Sequence, residues 1–90
     1  MYYVYILHSK KDSKLYIGYA VDLKRRLKEH QDKKVKSTAY RQPFELLCYE
    51  AYHHKMEAVA REKFLKSGDG RADLHKRLSI SLKQIKGRVA

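Results

Sequence analysis

The alternation of apolar and polar positions opens with two short apolar runs, Tyr2–His8 and Leu15–Ala20, joined by the polar turn Lys11-Asp12-Ser13-Lys14. Both runs are rich in Tyr, Val and Ile, which suit a pleated and largely buried surface, so the pair reads as a β-hairpin. The first run is apolar from Tyr2 to Leu7, which predicts a strand covered on both faces by helices. In the second, Leu15, Ile17 and Tyr19 face one way and Tyr16, Gly18 and Ala20 the other. If the turn pairs Lys10 with Leu15, or Lys11 with Lys14, then Tyr5 and Tyr16 share a face. A turn one residue longer or shorter separates them. Gly18, inside a strand, marks either a bulge or a close approach of another group.

A helix is expected from about Asp22 to Asp32, with Asp22 accepting from the free N–H groups of its first turn. Leu23 and Leu27, spaced i, i+4, face the sheet. Arg26 and His30 form a neighbouring stripe, at the edge of the packed face and within reach of solvent. The connection from Gln31 to Gln42 is polar and basic without an apolar period. Its Lys36-Ser37-Thr38-Ala39-Tyr40-Arg41 run suits either phosphate contacts or a mobile surface loop. Pro43 ends the connection, and Phe44–Tyr52 reads as a third strand. His53-His54 fits a chain reversal, since adjacent side chains point apart and do not share a metal.

A second helix spans about Lys55 to Lys66, offering Ala58, Val59, Phe64 and Leu65 to the core. Glu62 falls on the same side. A carboxylate there is costly unless it pairs with a base such as Arg26 or binds a cation. Ser67-Gly68-Asp69-Gly70 breaks the helix. A third helix is expected from Ala72 or Asp73 to about Lys86, with Leu74, Leu78, Leu82 and Ile85 on one stripe and a frayed tail beyond. The predicted class is α+β: a small three-stranded, mainly antiparallel sheet flanked by about three helices. Residues 1–90 are expected to form one domain with a core over about residues 2–79. At this size folding hides only about 60–65% of the unfolded chain's surface.

Charge changes the picture more than length does. The chain carries 21 Lys and Arg against 10 Asp and Glu, a formal net charge of +11. The excess runs from Lys24-Arg25-Arg26 through Lys33-Lys34 and Lys36 to Lys83 and Arg88, which points to a polyanion partner beyond the needs of solubility. Nucleic acid is favoured over a membrane surface, because no helix carries a broad apolar face lacking a core to pack on. No apolar run approaches the roughly 20 residues of a membrane span. The lone Cys48 lies in a strand pattern and reads as a small buried side chain. It suggests a reducing compartment, and with no signal-peptide pattern at Met1–Leu7 a cytoplasmic location is expected.

Tyr3-Val4-Tyr5, then Tyr16-Ile17-Gly18, then Asp22-Leu23-x-x-Arg26-x-x-x-His30 resembles the GIY-YIG nuclease superfamily, in particular its small single-domain members. The likeness continues through Pro43-Phe44-Glu45-Leu46-Leu47, Tyr49-Glu50 and Ala58-x-x-Arg61-Glu62-Lys63-x-Leu65-Lys66, and covers Tyr3 to about Leu78. It implies a metal-dependent endonuclease hydrolysing phosphodiester bonds, with DNA as the favoured substrate and repair or recombination as the setting. The catalytic set it implies is Tyr5, Tyr16, Arg26, His30 and Glu62, with Gly18 structural, in favour of close approach. One divalent ion, Mg²⁺ or Mn²⁺, would be held by Glu62. Arg26 would stabilise charge on the phosphate. Tyr16 is the favoured general base and Tyr5 its helper in positioning water. A free phenol ionises near about 10, so that role relies on neighbouring cations such as Arg26 and the metal. His30 either relays a proton or bonds a phosphate oxygen.

Lys24, Arg25, Lys36, Thr38 and Arg41 are the expected nucleic-acid contacts, although Lys24 and Arg25 also fit a merely solvated surface. The chain departs from the family pattern twice: Tyr3 replaces the eponymous glycine, and no asparagine follows the glutamate. A monomer or weak dimer is expected, with a repair complex as a further partner. The competing reading is a non-catalytic nucleic-acid-binding module that keeps the nuclease fold.

Overall fold

The computed structural model describes residues 1–89; Ala90 and the side chains of residues 87–89 lie outside it, and with them the fraying expected of the tail. The elements run β1 (Tyr2–Ser9), β2 (Leu15–Ala20), α1 (Leu23–Gln31), α2 (Lys36–Ala39), β3 (Phe44–Tyr52), α3 (Lys55–Leu65), α4 (Gly68–Arg77) and α5 (Ser79–Val89). The three strands form one antiparallel sheet in the order β2-β1-β3, with β1 in the centre.

The hairpin closes on Ser9 and Lys14, whose backbones bond at 2.9 Å, a register two residues away from the one expected from sequence, in which Lys14 would pair with Lys11. Ser9 Oγ accepts from the N–H groups of Lys11 and Asp12, and the Asp12 carboxylate accepts from Lys14 N–H at 2.9 Å. These local bonds fix the turn. Its parity matches the expected one, so Leu7 pairs with Tyr16 and Tyr5 with Gly18, all on one face.

Continuous apolarity in β1 is matched by cover on both sides. Val4 and Ile6 join Ile17 of β2, Ala58 and Leu65 of α3, and Leu74 and Leu78 in one core cluster. Tyr5 and Leu7 join Ala20 in the other, backed by Tyr16, Leu23, Leu27 and Phe44. Ala58, Glu62 and Leu65 share one side of α3. Val59 and Phe64, expected inside, stand partly exposed because the helical phase turns them away; Phe64 instead lies under the Arg61 guanidinium.

Five helices replace the three expected. The basic connection after α1 contains the one-turn α2, in which Thr38 is buried, preceded by the buried Val35. The third helix is two. α4 begins at Gly68, where Ser67 caps it by accepting from Gly70 N–H, and Gly70 is needed because a Cβ there would land on the Phe64 carbonyl. At Leu78 the backbone leaves helical geometry, yet Leu74 and Leu78 stay in the core with Leu82 packed against them. A charged network ties β3 to α3 and α4: Arg61 bonds Glu50 at 2.9 and 3.2 Å, while Arg77 lies 3.1 Å from Asp73. Among the described residues no helix is long and apolar enough to cross a membrane. Cys48 packs against the larger cluster, and burial pushes its thiol pKa up, which suits a packing residue and not a nucleophile.

Candidate active site

The site is assembled where α1 lies across the hairpin. Asp22 caps α1 by accepting from Arg25 N–H at 3.0 Å, which fixes the helix start and the direction of the stripe bearing Arg26 and His30. His30 turns fully inward, with only 1% of its surface exposed, contrary to the solvent-reachable position its stripe suggested. The reason is α2, which closes over the end of α1 and buries Thr38 against the imidazole.

Tyr5, also 1% exposed, meets His30 Nε2 with its hydroxyl at 2.6 Å, and His30 Nδ1 lies 2.7 Å from Thr38 Oγ1. Thr38 Oγ1 in turn donates to the Val35 carbonyl at 3.3 Å. A carbonyl only accepts, and this sets the direction of the chain. Thr38 gives its proton to Val35, His30 Nδ1–H donates to Thr38, and the Tyr5 hydroxyl donates to Nε2. Burial is the main cause that pushes the Tyr5 pKa up to about 12, with the neighbouring Tyr16 and Glu62 acting in the same direction and Arg26 against it. Burial, then the Arg26 charge, lowers that of His30 to about 4. Both groups are therefore neutral near pH 7, as the directed chain requires.

Gly18 explains how the Tyr5 ring fits. A Cβ at Gly18 would land on the phenol ring and its oxygen, so the close approach is made by Tyr5 itself. Tyr16 stands beside this buried pair, its ring 6.3 Å from that of Tyr5, 5.2 Å from His30 and 6.4 Å from Phe44. Unlike Tyr5, it is only half buried, and no hydrogen bond within the described residues engages its hydroxyl.

Arg26 lies against the Tyr5 hydroxyl, and its side chain is 38% exposed. The nearby phenol and the Glu29 carboxylate, 3.2 Å from Nη1, raise its pKa despite partial burial. Glu62 approaches from α3 with a 23% exposed side chain. Its charge is among the influences that raise the Tyr5 pKa, although α3 itself packs on the face of the sheet opposite Tyr5 and Tyr16. Glu62 pairs with Lys66 at 3.3 Å, and not with Arg26.

The expected nucleic-acid contacts divide. Lys24, Arg25 and Lys36 are exposed, Arg25 with a loose 3.7 Å pair to Glu29. Thr38 is a correction: fully buried and bonded to His30, it cannot touch a backbone. Arg41 is largely committed elsewhere, gripping Asp12 at 2.6 Å and reaching the carbonyls of Lys14 and Leu15. It secures the hairpin turn and holds the Asp12 carboxyl well below the usual range. His53 and His54 lie at the exposed start of α3.

Three partners were missed. Glu29 lies three residues after Arg26, a helical spacing that signals such pairs. Phe44 packs its ring 6.4 Å from His30, and Gln42 donates its side-chain amide to the His30 carbonyl. No local spacing signals either contact, since Gln42 closes the connection and Phe44 opens β3, both more than ten residues from His30.

A divalent ion fits this arrangement in one way. Among the described residues no three His, Cys, Asp or Glu side chains gather into a cage. Glu62 is a single accessible carboxylate whose partner, Lys66, is half exposed and free to swing aside. One carboxylate with remaining positions left to water and substrate is a donor set that Mg²⁺ accepts and that Zn²⁺ sites do not use.

Comparison with known proteins agrees with the fold. The family model for the GIY-YIG catalytic domain matches residues 1–78. A UPF0213 protein of Streptococcus pyogenes serotype M5 is 43% identical over 65 residues, covering 71% of this chain and 70% of the relative. One from Streptococcus agalactiae serotype V is 41% identical over 73 residues, covering 80% and 82%. The solution NMR structure of the UPF0213 protein from Bacillus halodurans is 39% identical, covers 84% of each chain and superposes with a TM-score of 0.54. With a family model matched over most of its length and relatives above 40% identity, the chain belongs to the GIY-YIG family.

Proposed function

We propose that the protein is a metal-dependent endonuclease hydrolysing phosphodiester bonds in nucleic acid, with DNA the favoured substrate, and that residues 1–90 act as one catalytic domain. The observation that carries this reading is the meeting of hairpin and α1, where the Tyr16 ring stands 6.3 Å from that of Tyr5 and Arg26 lies against the Tyr5 hydroxyl, with the charge of Glu62 on α3 also felt by that phenol. One phosphate placed there meets a cation, an unengaged hydroxyl and a carboxylate.

The residues divide the work. Tyr16, with its unengaged oxygen on the open side, is the base: in the phenolate form, which the Arg26 charge and a bound ion would favour, it takes a proton from the attacking water and becomes the neutral phenol. Tyr5 holds its own proton on His30, so its oxygen is left to accept, and it orients that water or the Arg26 fork. Arg26 donates to the non-bridging phosphate oxygens, where negative charge grows as the water oxygen bonds phosphorus and the P–O bond to the leaving sugar oxygen breaks. A divalent ion on Glu62, when bound, supplies Lewis-acid stabilisation of the phosphate and the leaving oxygen. His30 positions Tyr5 and does not reach the phosphate. Lys24, Arg25 and Lys36 hold the flanking backbone. The protein acts as a monomer or weak dimer in a reducing compartment, with repair or recombination as its setting.

The test is cleavage of labelled single-stranded, branched and gapped DNA, with matching RNA, by the wild-type and Glu62→Ala proteins with and without Mg²⁺ or Mn²⁺. Metal-dependent nicking by the wild type alone is expected. Binding without cleavage of any substrate under either metal would leave the non-catalytic module in its place.

A further inference from the structure

The sheet order leaves β2 as a free edge, and its side chains alternate across that edge. Tyr16 belongs to the catalytic face, while Leu15 and Ile17, its two neighbours in sequence, belong to the opposite one. On that opposite side the hairpin, α4 and α5 enclose a cleft of about 520 Å³. Leu15 and Ile17 line it, together with Lys14 from the turn and Arg71 and His75 from α4. Arg71 and His75 are spaced i, i+4 and so stand on one side of the helix.

Charge sets this cleft apart from the rest of the basic surface. The concavity on the outer side of α1 mixes Lys24, Arg25 and Lys28 with Asp22, Glu29 and Asp32, and several of these are paired. None of the described residues lining the hairpin cleft is acidic, and the nearby Asp12 is already neutralised by Arg41. Lys14 and Arg71 are exposed, and no ion pair within the described residues holds either of them. Two unpaired cations and an imidazole over an apolar floor fit a chain of phosphodiesters and do not fit an acidic peptide's shorter, bulkier side chains.

We propose that this cleft binds the phosphate backbone of the substrate strand flanking the scissile phosphate, after the strand crosses the free edge of β2. The inference rests on the nuclease reading for what occupies the catalytic face. It adds a second contact surface, on the far side of the sheet from α1, to those read from the sequence. Only the thickness of one strand separates Tyr16 from this cleft. Backbone contacts of this kind hold register without reading sequence.

The experiment is fluorescence anisotropy of a labelled single-stranded oligonucleotide in EDTA, which stops metal-dependent cleavage, over a salt series. The Lys14→Ala/Arg71→Ala protein is compared with Lys55→Ala/Lys76→Ala, which removes equal charge from exposed lysines that do not line the cleft. The cleft variant is expected to lose affinity about tenfold at low salt, and its log–log salt slope to fall by about 1.5, as two lost phosphate contacts imply. The control pair should lose much less. Equal losses in the two variants, with circular dichroism unchanged in both, would overturn the proposal and reduce the effect to overall charge. The readout is independent of chemistry. A cleaving wild type with no selective loss in the cleft variant sinks the cleft and leaves the nuclease standing. A selective loss in a protein that never cleaves does the reverse.

Discussion

The buried half and the open half of the site are built on opposite rules. In the interior, Tyr5, His30 and Thr38 form a directed chain of hydrogen bonds ending on a backbone carbonyl, and every member is almost or fully enclosed. At the rim, Tyr16 has an unengaged hydroxyl, Arg26 shares a part-exposed pair with Glu29, and Glu62 holds only a half-exposed lysine. A closed network is rigid because each polar group would be costly to leave unpaired. The rim groups keep partners that a phosphate or an ion can displace. On the proposed nuclease reading the interior sets geometry and the rim meets substrate, although five of these six side chains looked equivalent as motif residues.

That division is broken most severely at the rim. Glu62→Ala is expected to abolish metal-dependent cleavage, since no other carboxylate is proposed to hold the ion and Glu29 is engaged with Arg26, while thermal stability barely moves. The pair it loses is an exposed i,i+4 bridge worth about 0.3–0.5 kcal/mol at most. Denaturation midpoints and a nicking assay on the same preparation check both halves of the statement. Arg26→Ala should cost about 3 kcal/mol in kcat/KM by losing a charge-stabilising donor, and Arg26→Lys should recover little of it because a point charge lacks the fork. Tyr16→Phe should cripple cleavage and leave oligonucleotide binding within twofold or so, about the accuracy of such titrations, since it removes only an oxygen that binding does not use.

The interior answers to pH instead. The His30 pKa falls from 6.5 in the unfolded chain to about 4 in the fold. The unfolded chain then takes up a proton below 6.5 while the folded one does not. Stability is full above pH 6.5 and is lost as pH falls through about 4, by about 3 kcal/mol for this group. Urea unfolding of wild type and His30→Gln at pH 7 and pH 4.5 isolates that contribution, and a wild type whose pH dependence equals the variant's would contradict it. Gly18→Ala, which drives a methyl into the Tyr5 ring, should destabilise by about 1–3 kcal/mol through overpacking.

How much of this was readable from sequence follows from the range of the interactions. The hairpin parity, the Asp22 cap and the Ala58–Glu62–Leu65 side of α3 depend on neighbours within a few residues, where periods of two and 3.6 govern. The break at Leu78 lay within an unbroken leucine stripe, so periodicity could not show it. Thr38 was misplaced, and the partner of Arg41 missed, for a related reason. Lys36–Arg41 has no apolar period, and only the folding of α2 over α1 turns Thr38 inward and sends Arg41 to Asp12. The identity of the group beside Gly18 was likewise a tertiary fact: a glycine announces a close approach without naming what approaches.

Thr38 gives the finest test of the contrast, because it touches neither phosphate nor metal. Thr38→Val keeps the shape and removes the oxygen, leaving His30 Nδ1–H buried without an acceptor, at a cost of about 1 kcal/mol in unfolding free energy. The imidazole can relieve this by moving its proton to Nε2, but that nitrogen would then donate to Tyr5 instead of accepting from it. The phenol must turn its proton away and lose the lone pair it offers at the rim. Cleavage should therefore fall severalfold, about what a misoriented partner costs, while substrate affinity holds. Thr38→Ser, which keeps the oxygen, should restore it. Nitrogen-15 chemical shifts of His30 report the tautomer directly: protonation on Nδ1 in wild type and Thr38→Ser, and on Nε2 in Thr38→Val. If all three proteins show the same tautomer and cleave equally well, the buried chain is only packing and the rim positions itself.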